Sequence, residues 1–158
     1  MKKTMAILGD TGEFPPVLME ILVKQDLRLL FVSEDEAKNE KVRKQLEPLK
    51  AAAEIEFKSC EREGCWEADI ILLTRPEKVS SALVEKIKEV ATQKIVLVVS
   101  EDLNQPDKPE FEKLLPYSKV VKFVFDPLEK EFSISGKDAE SLEDIQKLLE
   151  GTGYQLNK

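Results

Sequence analysis

Met5-Ala6-Ile7-Leu8-Gly9-Asp10-Thr11-Gly12 is the stretch whose reading decides the fold. A short apolar run ends at two glycines three positions apart, and Val17, Leu18, Ile21 and Leu22 follow at helical spacing. That is the order of a strand, a tight turn and a helix N-terminus. Such a turn brings the backbone N–H groups around Asp10, Thr11, Gly12, Glu13 and Phe14 toward a phosphate, and the helix dipole favours the negative charge. Pro15 stands where a third glycine would complete the phosphate-binding fingerprint, with Pro16 behind it. Proline is easily accommodated in the first turn of a helix, but Phe14-Pro15-Pro16 is bulky where a backbone should approach pyrophosphate. The Glu13 carboxylate competes for the same dipole.

Outward from this turn the chain alternates strands and helices. Leu27–Ser33, Ala68–Thr74 and Ile95–Ser100 are apolar runs of the kind expected for strands buried on both faces. Thr4–Leu8, Ala53–Lys58, Val120–Phe125 and Glu131–Ser135 read as further strands. Helical periodicity predicts helices over Pro15–Gln25, Asp35–Leu46, Glu77–Thr92, Phe111–Leu115 and Ala139–Leu149, with Gly151-Thr152-Gly153 as a helix stop. This pattern predicts an α/β three-layer sandwich with a mainly parallel sheet. The expected strand order is 3-2-1-4-5-6, with Glu131–Ser135 as an extra edge strand. Glu101–Glu110, with its two prolines, reads as a surface loop. The 158 residues read as a single domain, 1–158.

Composition narrows the function classes. The chain is 42% hydrophobic and 35% charged, as a folded domain should be. Its net charge of −7 argues against nucleic acid and anionic membrane surfaces as partners. No apolar run nears the ~20 residues of a membrane span, and Lys2-Lys3 is followed by no small-residue cleavage site. Cys60 and Cys65 are expected to be reduced thiols of a cytoplasmic protein. With no histidine and two cysteines, no metal site is expected. Trp66, ahead of the fourth strand, is expected to pack. No acid–base or nucleophile constellation is visible; hydride transfer needs none, because the cofactor carries that chemistry.

MAILGDTG at 5–12, ADIILLTRP at 68–76 and IVLVVSEDLN at 95–104 resemble the NAD(P)-binding domain of the deazaflavin-dependent NADP reductase family. Further along, Leu114-Leu115-Pro116 runs into Lys119-Val120-Val121-Lys122-Phe123, and Ser135-Gly136-Lys137-Asp138-Ala139-Glu140 opens a helix closed by Gly151-Thr152-Gly153-Tyr154, an order similar to the family's later half. The resemblance implies a Rossmann fold, a dinucleotide at the switch point of the sheet, and hydride transfer to a deazaflavin. It also implies a homodimer. The family's dimer contacts come from a C-terminal helix that has no counterpart here, and little chain remains to cover a flavin-like second substrate.

The departures bear on the site. NADP-binding members carry a Ser-Arg pair after the second strand, the arginine taking the 2′-phosphate; here the residues are Ser33-Glu34-Asp35. A carboxylate repels a 2′-phosphate and accepts hydrogen bonds from a ribose diol. Glu34 follows Gly12 by 22 residues, near the ~20 expected of a ribose acid. Of NAD and NADP, NAD is therefore the expected cofactor. The alternative for these acids is simply to begin the next helix. Thr74-Arg75-Pro76 falls at the carboxyl end of the fourth strand, where the resemblance places the ribose and nicotinamide side, and Arg75 suits a phosphate or carboxylate there. Ser100 falls on the same rim. The asparagine that the family carries after its Lys-Ala-Phe is replaced by Val124.

The expected site is thus Gly9, Asp10, Thr11, Gly12, Glu13, Phe14, Ser33, Glu34, Thr74, Arg75, Pro76 and Ser100. Three functions remain open: a dinucleotide-binding protein that serves as an oxidoreductase, a non-enzymatic binding or interaction protein with a decayed cofactor site, or a site for another small-molecule ligand on the same rim.

Overall fold

The computed structural model describes residues 2–9, 16–74, 81–100, 111–126, 128–150 and 152–156. The first half holds β1 (Lys3–Gly9), α1 (Pro16–Val23), β2 (Leu27–Val32), α2 (Glu36–Leu46), β3 (Glu54–Lys58), α3 (Glu61–Glu67) and β4 (Ile70–Thr74). The second holds α4 (Ser81–Ile87), β5 (Ile95–Ser100), α5 (Phe111–Leu114), β6 (Lys119–Asp126), β7 (Glu131–Gly136), α6 (Ala139–Leu149) and β8 (Gln155–Leu156). All the strands form one sheet in the order β3-β2-β1-β4-β5-β6-β7-β8. Pairing is parallel from β3 through β6, β7 runs antiparallel to β6, and β8 runs parallel to β7.

The strand period of two builds both layers. Met5 and Ile7 of β1 face a core shared with Leu18 and Leu22 of α1, Val42 of α2 and Ile145 of α6. Ala6 and Leu8 face the other way, into a core with Cys65 of α3, Leu83 and Ile87 of α4, and Phe111 of α5. Alternate residues of β4 divide the same way, Ile70 and Leu72 against Ile71 and Leu73. The innermost strands β4 and β5 are therefore apolar at every position before their last residue, as a sheet covered by helices on both faces requires.

Apart from element bounds, such as α4 ending at Ile87 and not Thr92, expectation and structure differ at three points. The edge assigned to the Glu131 strand belongs to β8, which pairs Glu131 with Gln155 and Phe132 with Leu156. Two residues carry no periodicity, so only the open edge of β7 reveals this strand. α3 lies where no helix is expected, because its buried residues are Gly64 and Cys65 rather than a stripe of large aliphatics. Trp66 of that helix is 71% exposed and does not join a core. Gly64 and Cys65 turn the helix's close-packing face to the sheet, and the next residue, about 100° further round a 3.6-residue turn, faces solvent. The expected surface loop Glu101–Glu110 and the Pro15 end of the first helix lie outside the described residues.

Both cysteines are free thiols. Burial pushes the Cys65 pKa up to about 12, which keeps it an unreactive core residue at neutral pH. No helix among the described residues is long and apolar enough to cross a membrane.

Candidate functional site

Strand order reverses between β1 and β4: from β1 the chain builds outward through β2 and β3, and from β4 through β5 and β6. The helices that follow the two central strands diverge to opposite faces, and a crevice opens outside their carboxyl ends. Gly9 ends β1 and Thr74 ends β4, and the two are register partners. Ser100 ends β5 on the same rim, opposite Val124 of β6.

Thr74 is 1% exposed, and its hydroxyl donates to the Leu8 carbonyl at 2.8 Å. It therefore laces β4 to β1 at the switch point, and what it offers the crevice is backbone. Asp10, Thr11, Gly12, Glu13 and Phe14, and likewise Arg75 and Pro76, lie outside the described residues.

The turn after β2 separates three side chains that look alike in sequence. Ser33 is buried, and its Oγ accepts from the Asp35 N–H at 3.1 Å. Asp35 is the N-cap of α2; its Oδ1 accepts from the Ala37 N–H at 3.0 Å. Both serve local structure, the role capping chemistry predicts. The Glu34 carboxylate, in contrast, bonds a side chain and not the local backbone. Its Oε1 lies 2.9 Å from Nζ of Lys86 in the last turn of α4. Lys86 also reaches Oε1 of Glu61, in the first turn of α3, at 3.5 Å. The hydrogen bond to Glu34 is the foremost cause that raises the Lys86 pKa, so the lysine is charged wherever the protein is folded at ordinary pH.

Sequence reasoning missed two residues here. Lys86 occupies an unremarked polar position of an amphipathic helix, and nothing local signals a partner 52 residues away. Asn39 of α2 is 2% exposed; its Nδ2 donates to the Ser33 carbonyl at 3.4 Å, and its buried Oδ1 has no hydrogen-bond partner among the described residues. An asparagine three residues into a charged helix gives no hint of burial.

The opposite, amino edge of the sheet is built differently. A 190 Å³ cavity there is lined by Glu112, Ser118, Lys119, Lys137 and Asp138, smaller than the ~300 Å³ at which ligand pockets begin. Two of its charges pair with each other, Lys137 with Glu112 at 3.5 Å. Nearby, Lys94 donates to the carbonyls of Cys65 and Trp66, and burial lowers its pKa. Among the described residues no three His, Cys, Asp or Glu side chains converge on a metal position.

No protein-family model matches the sequence, and no curated protein matches it. Solved structures do. A candidate F420-dependent NADP reductase from Arthrobacter sp. FB24 superimposes with a TM-score of 0.65 at 12% identity, over 99% of this chain and 84% of that one. Pyrroline carboxylate reductase from Plasmodium falciparum, solved with NADP bound, gives 0.65 at 14% identity, over 99% of this chain and 58% of that one. A diketoreductase gives 0.72 at 16% identity, over 98% and 63%. This chain therefore spans less than two thirds of the latter two proteins. At such identities the likeness is one of fold, and what it establishes is that the chain has the Rossmann-type α/β fold of these solved reductases.

Proposed function

We propose that this chain binds a nicotinamide dinucleotide across the β1/β4 switch point and works as an NAD(P)-dependent oxidoreductase domain. The observation that carries the reading is the join of Gly9 to Thr74 at the reversal of strand order, with Glu34 as the acid of the Ser33–Asp35 turn whose carboxylate bonds a side chain and not the backbone. The solved reductases of the same fold support it; one of them is described with NADP bound.

The residues fit such a ligand. Glu34 is exposed at the end of β2, where a ribose acid belongs. The glycine turn after β1 suits the pyrophosphate, and Arg75 suits a phosphate or carboxylate on the nicotinamide side. When bound, the cofactor supplies the hydride chemistry. The chain's own work is to hold the ribose diol at Glu34 and the pyrophosphate at backbone N–H groups. A carboxylate at the ribose favours NAD over NADP. Two free thiols suit a cytoplasmic location, and a net charge of −7 suits a small-molecule ligand better than nucleic acid. A second copy of the chain as partner rests on the family resemblance alone, and its contacts would differ from those of that family's C-terminal helix.

Thermal unfolding with NAD, NADH, NADP and NADPH tests the reading. A cofactor at 100 times its Kd should add roughly 2.7 kcal/mol of stability, and Gly12→Val should abolish that gain while the variant stays folded. No stabilisation by any dinucleotide at millimolar concentration would overturn the proposal and leave a non-enzymatic binding domain.

A further inference from the structure

The turn after β2 carries an arrangement that cofactor recognition by an acid alone does not require. Glu34 is bridged by Lys86, and Lys86 in turn is bridged to Glu61, so that one ammonium ties the β2 turn, the last turn of α4 and the first turn of α3. The lysine is held at its backbone as well: Arg62 of α3 donates to the Lys86 carbonyl at 3.5 Å and pairs with Glu89 at 2.8 Å. Among the described residues the charged groups facing Lys86 are Glu34 and Glu61, with the Arg62 guanidinium at its carbonyl.

A bare carboxylate at this position discriminates in one direction only. It accepts hydrogen bonds from a ribose diol and repels a 2′-phosphate, whose charge is about −1.5 to −2 near neutral pH by analogy with other phosphomonoesters. An ammonium 2.9 Å from that carboxylate and 3.5 Å from Glu61 leaves one net negative charge in place of two, which weakens the repulsion of an incoming phosphate, and it is itself a phosphate-binding group. Lys86 contacts one carboxylate oxygen, Oε1. Its side chain is 48% exposed and that of Glu34 63%, so both can turn toward a ligand without desolvating a buried ion.

Resting on the dinucleotide reading above, we propose that Lys86 is a cofactor-specificity residue, which offsets the repulsion between Glu34 and a 2′-phosphate and so sets how far NAD is preferred over NADP. Glu34 serves the 2′-hydroxyl of NAD. Lys86 admits the 2′-phosphate of NADP, moving from Glu34 to the phosphate. Glu61 holds the lysine in the site when neither is present.

Dissociation constants for NAD, NADP and adenosine 2′-monophosphate, measured at low salt on the full chain and on Lys86→Gln, Lys86→Arg and Glu34→Gln, test this. In Lys86→Gln the Kd for NADP should rise about tenfold while that for NAD stays within about threefold, and adenosine 2′-monophosphate should be lost; a tenfold change corresponds to about 1.4 kcal/mol. Lys86→Arg should keep the wild-type ratio. Glu34→Gln should tighten NADP and weaken NAD. Circular dichroism and thermal midpoints of the variants control for folding. If wild type binds dinucleotides and Lys86→Gln shows the same NADP-to-NAD ratio, the role of Lys86 is overturned and the dinucleotide reading stands. If wild type binds neither at millimolar concentration, the dinucleotide reading falls and this inference falls with it.

Discussion

Thr74 shows how a single side chain can be read correctly for position and differently for role. It ends β4 on the crevice rim, as its place after Ile70–Leu73 implies, but its hydroxyl is committed to the Leu8 carbonyl. Replacing it with valine keeps the shape and removes this side-chain hydrogen bond. Thr74→Val should cost roughly 0.5–1.5 kcal/mol in urea unfolding, the usual net worth of one hydrogen bond, whereas Thr74→Ser keeps the donor and should cost less. The turn after β2 gives the complementary case. Ser33, Glu34 and Asp35 are all polar and adjacent, and sequence spacing allows any of them to face a ribose. Hydrogen bonds to the Asp35 and Ala37 N–H groups remove two of the three.

At the scale of elements, α3 is the most instructive. Its seven residues, EREGCWE, contain no apolar stripe, and a glycine in a helix ordinarily argues against one. The helix forms because it crosses from β3 to β4 and must lie close on the sheet. A Cβ at Gly64 would sit 2.7 Å from Cγ2 of Val32, a residue 1% exposed in the core. Gly64→Ala would gain up to about 1 kcal/mol of helix propensity, against an overpacking cost of about 1–3 kcal/mol. The balance should be a net loss of stability, seen as a lower denaturation midpoint, and Val32→Ala in the same chain should recover part of it. A gain in stability from Gly64→Ala alone would show that Val32 yields freely and that the close approach is not the reason for glycine. The same closeness accounts for Trp66, which the helix rotates away from the core its neighbour Cys65 enters.

For the molecule as a whole, the sheet separates two apolar cores that share strands but not helices. Ile145 of α6 and Ile87 of α4 are both 0% exposed and lie in different cores. Each Ile→Val change should cost about 0.5–1.5 kcal/mol. With the sheet between them they share no partners, so the double variant should equal the sum of the singles within about 0.5 kcal/mol, in one cooperative transition. Two resolved transitions, or a large coupling, would show that the layers are energetically distinct or strained against each other.

The sequence by itself determined the strands of the inner sheet, the alternation of strands and helices, and the order 3-2-1-4-5-6. These rest on apolar runs and periodicities a few residues long, and crossovers between parallel strands are nearly always right-handed. It also placed Gly9, Thr74 and Ser100 on one rim, because each ends an apolar run. Only the tertiary structure decided that α3 is a helix, that β8 takes the outer edge, that Asn39 is buried, and that Lys86 stands on Glu34 across 52 residues of chain. Each of these depends on a partner remote in sequence: a close backbone approach, an open strand edge, or a solvent-screened surface ion pair. Interactions of that kind leave no local periodicity, so they become visible only once the fold has brought their two halves together.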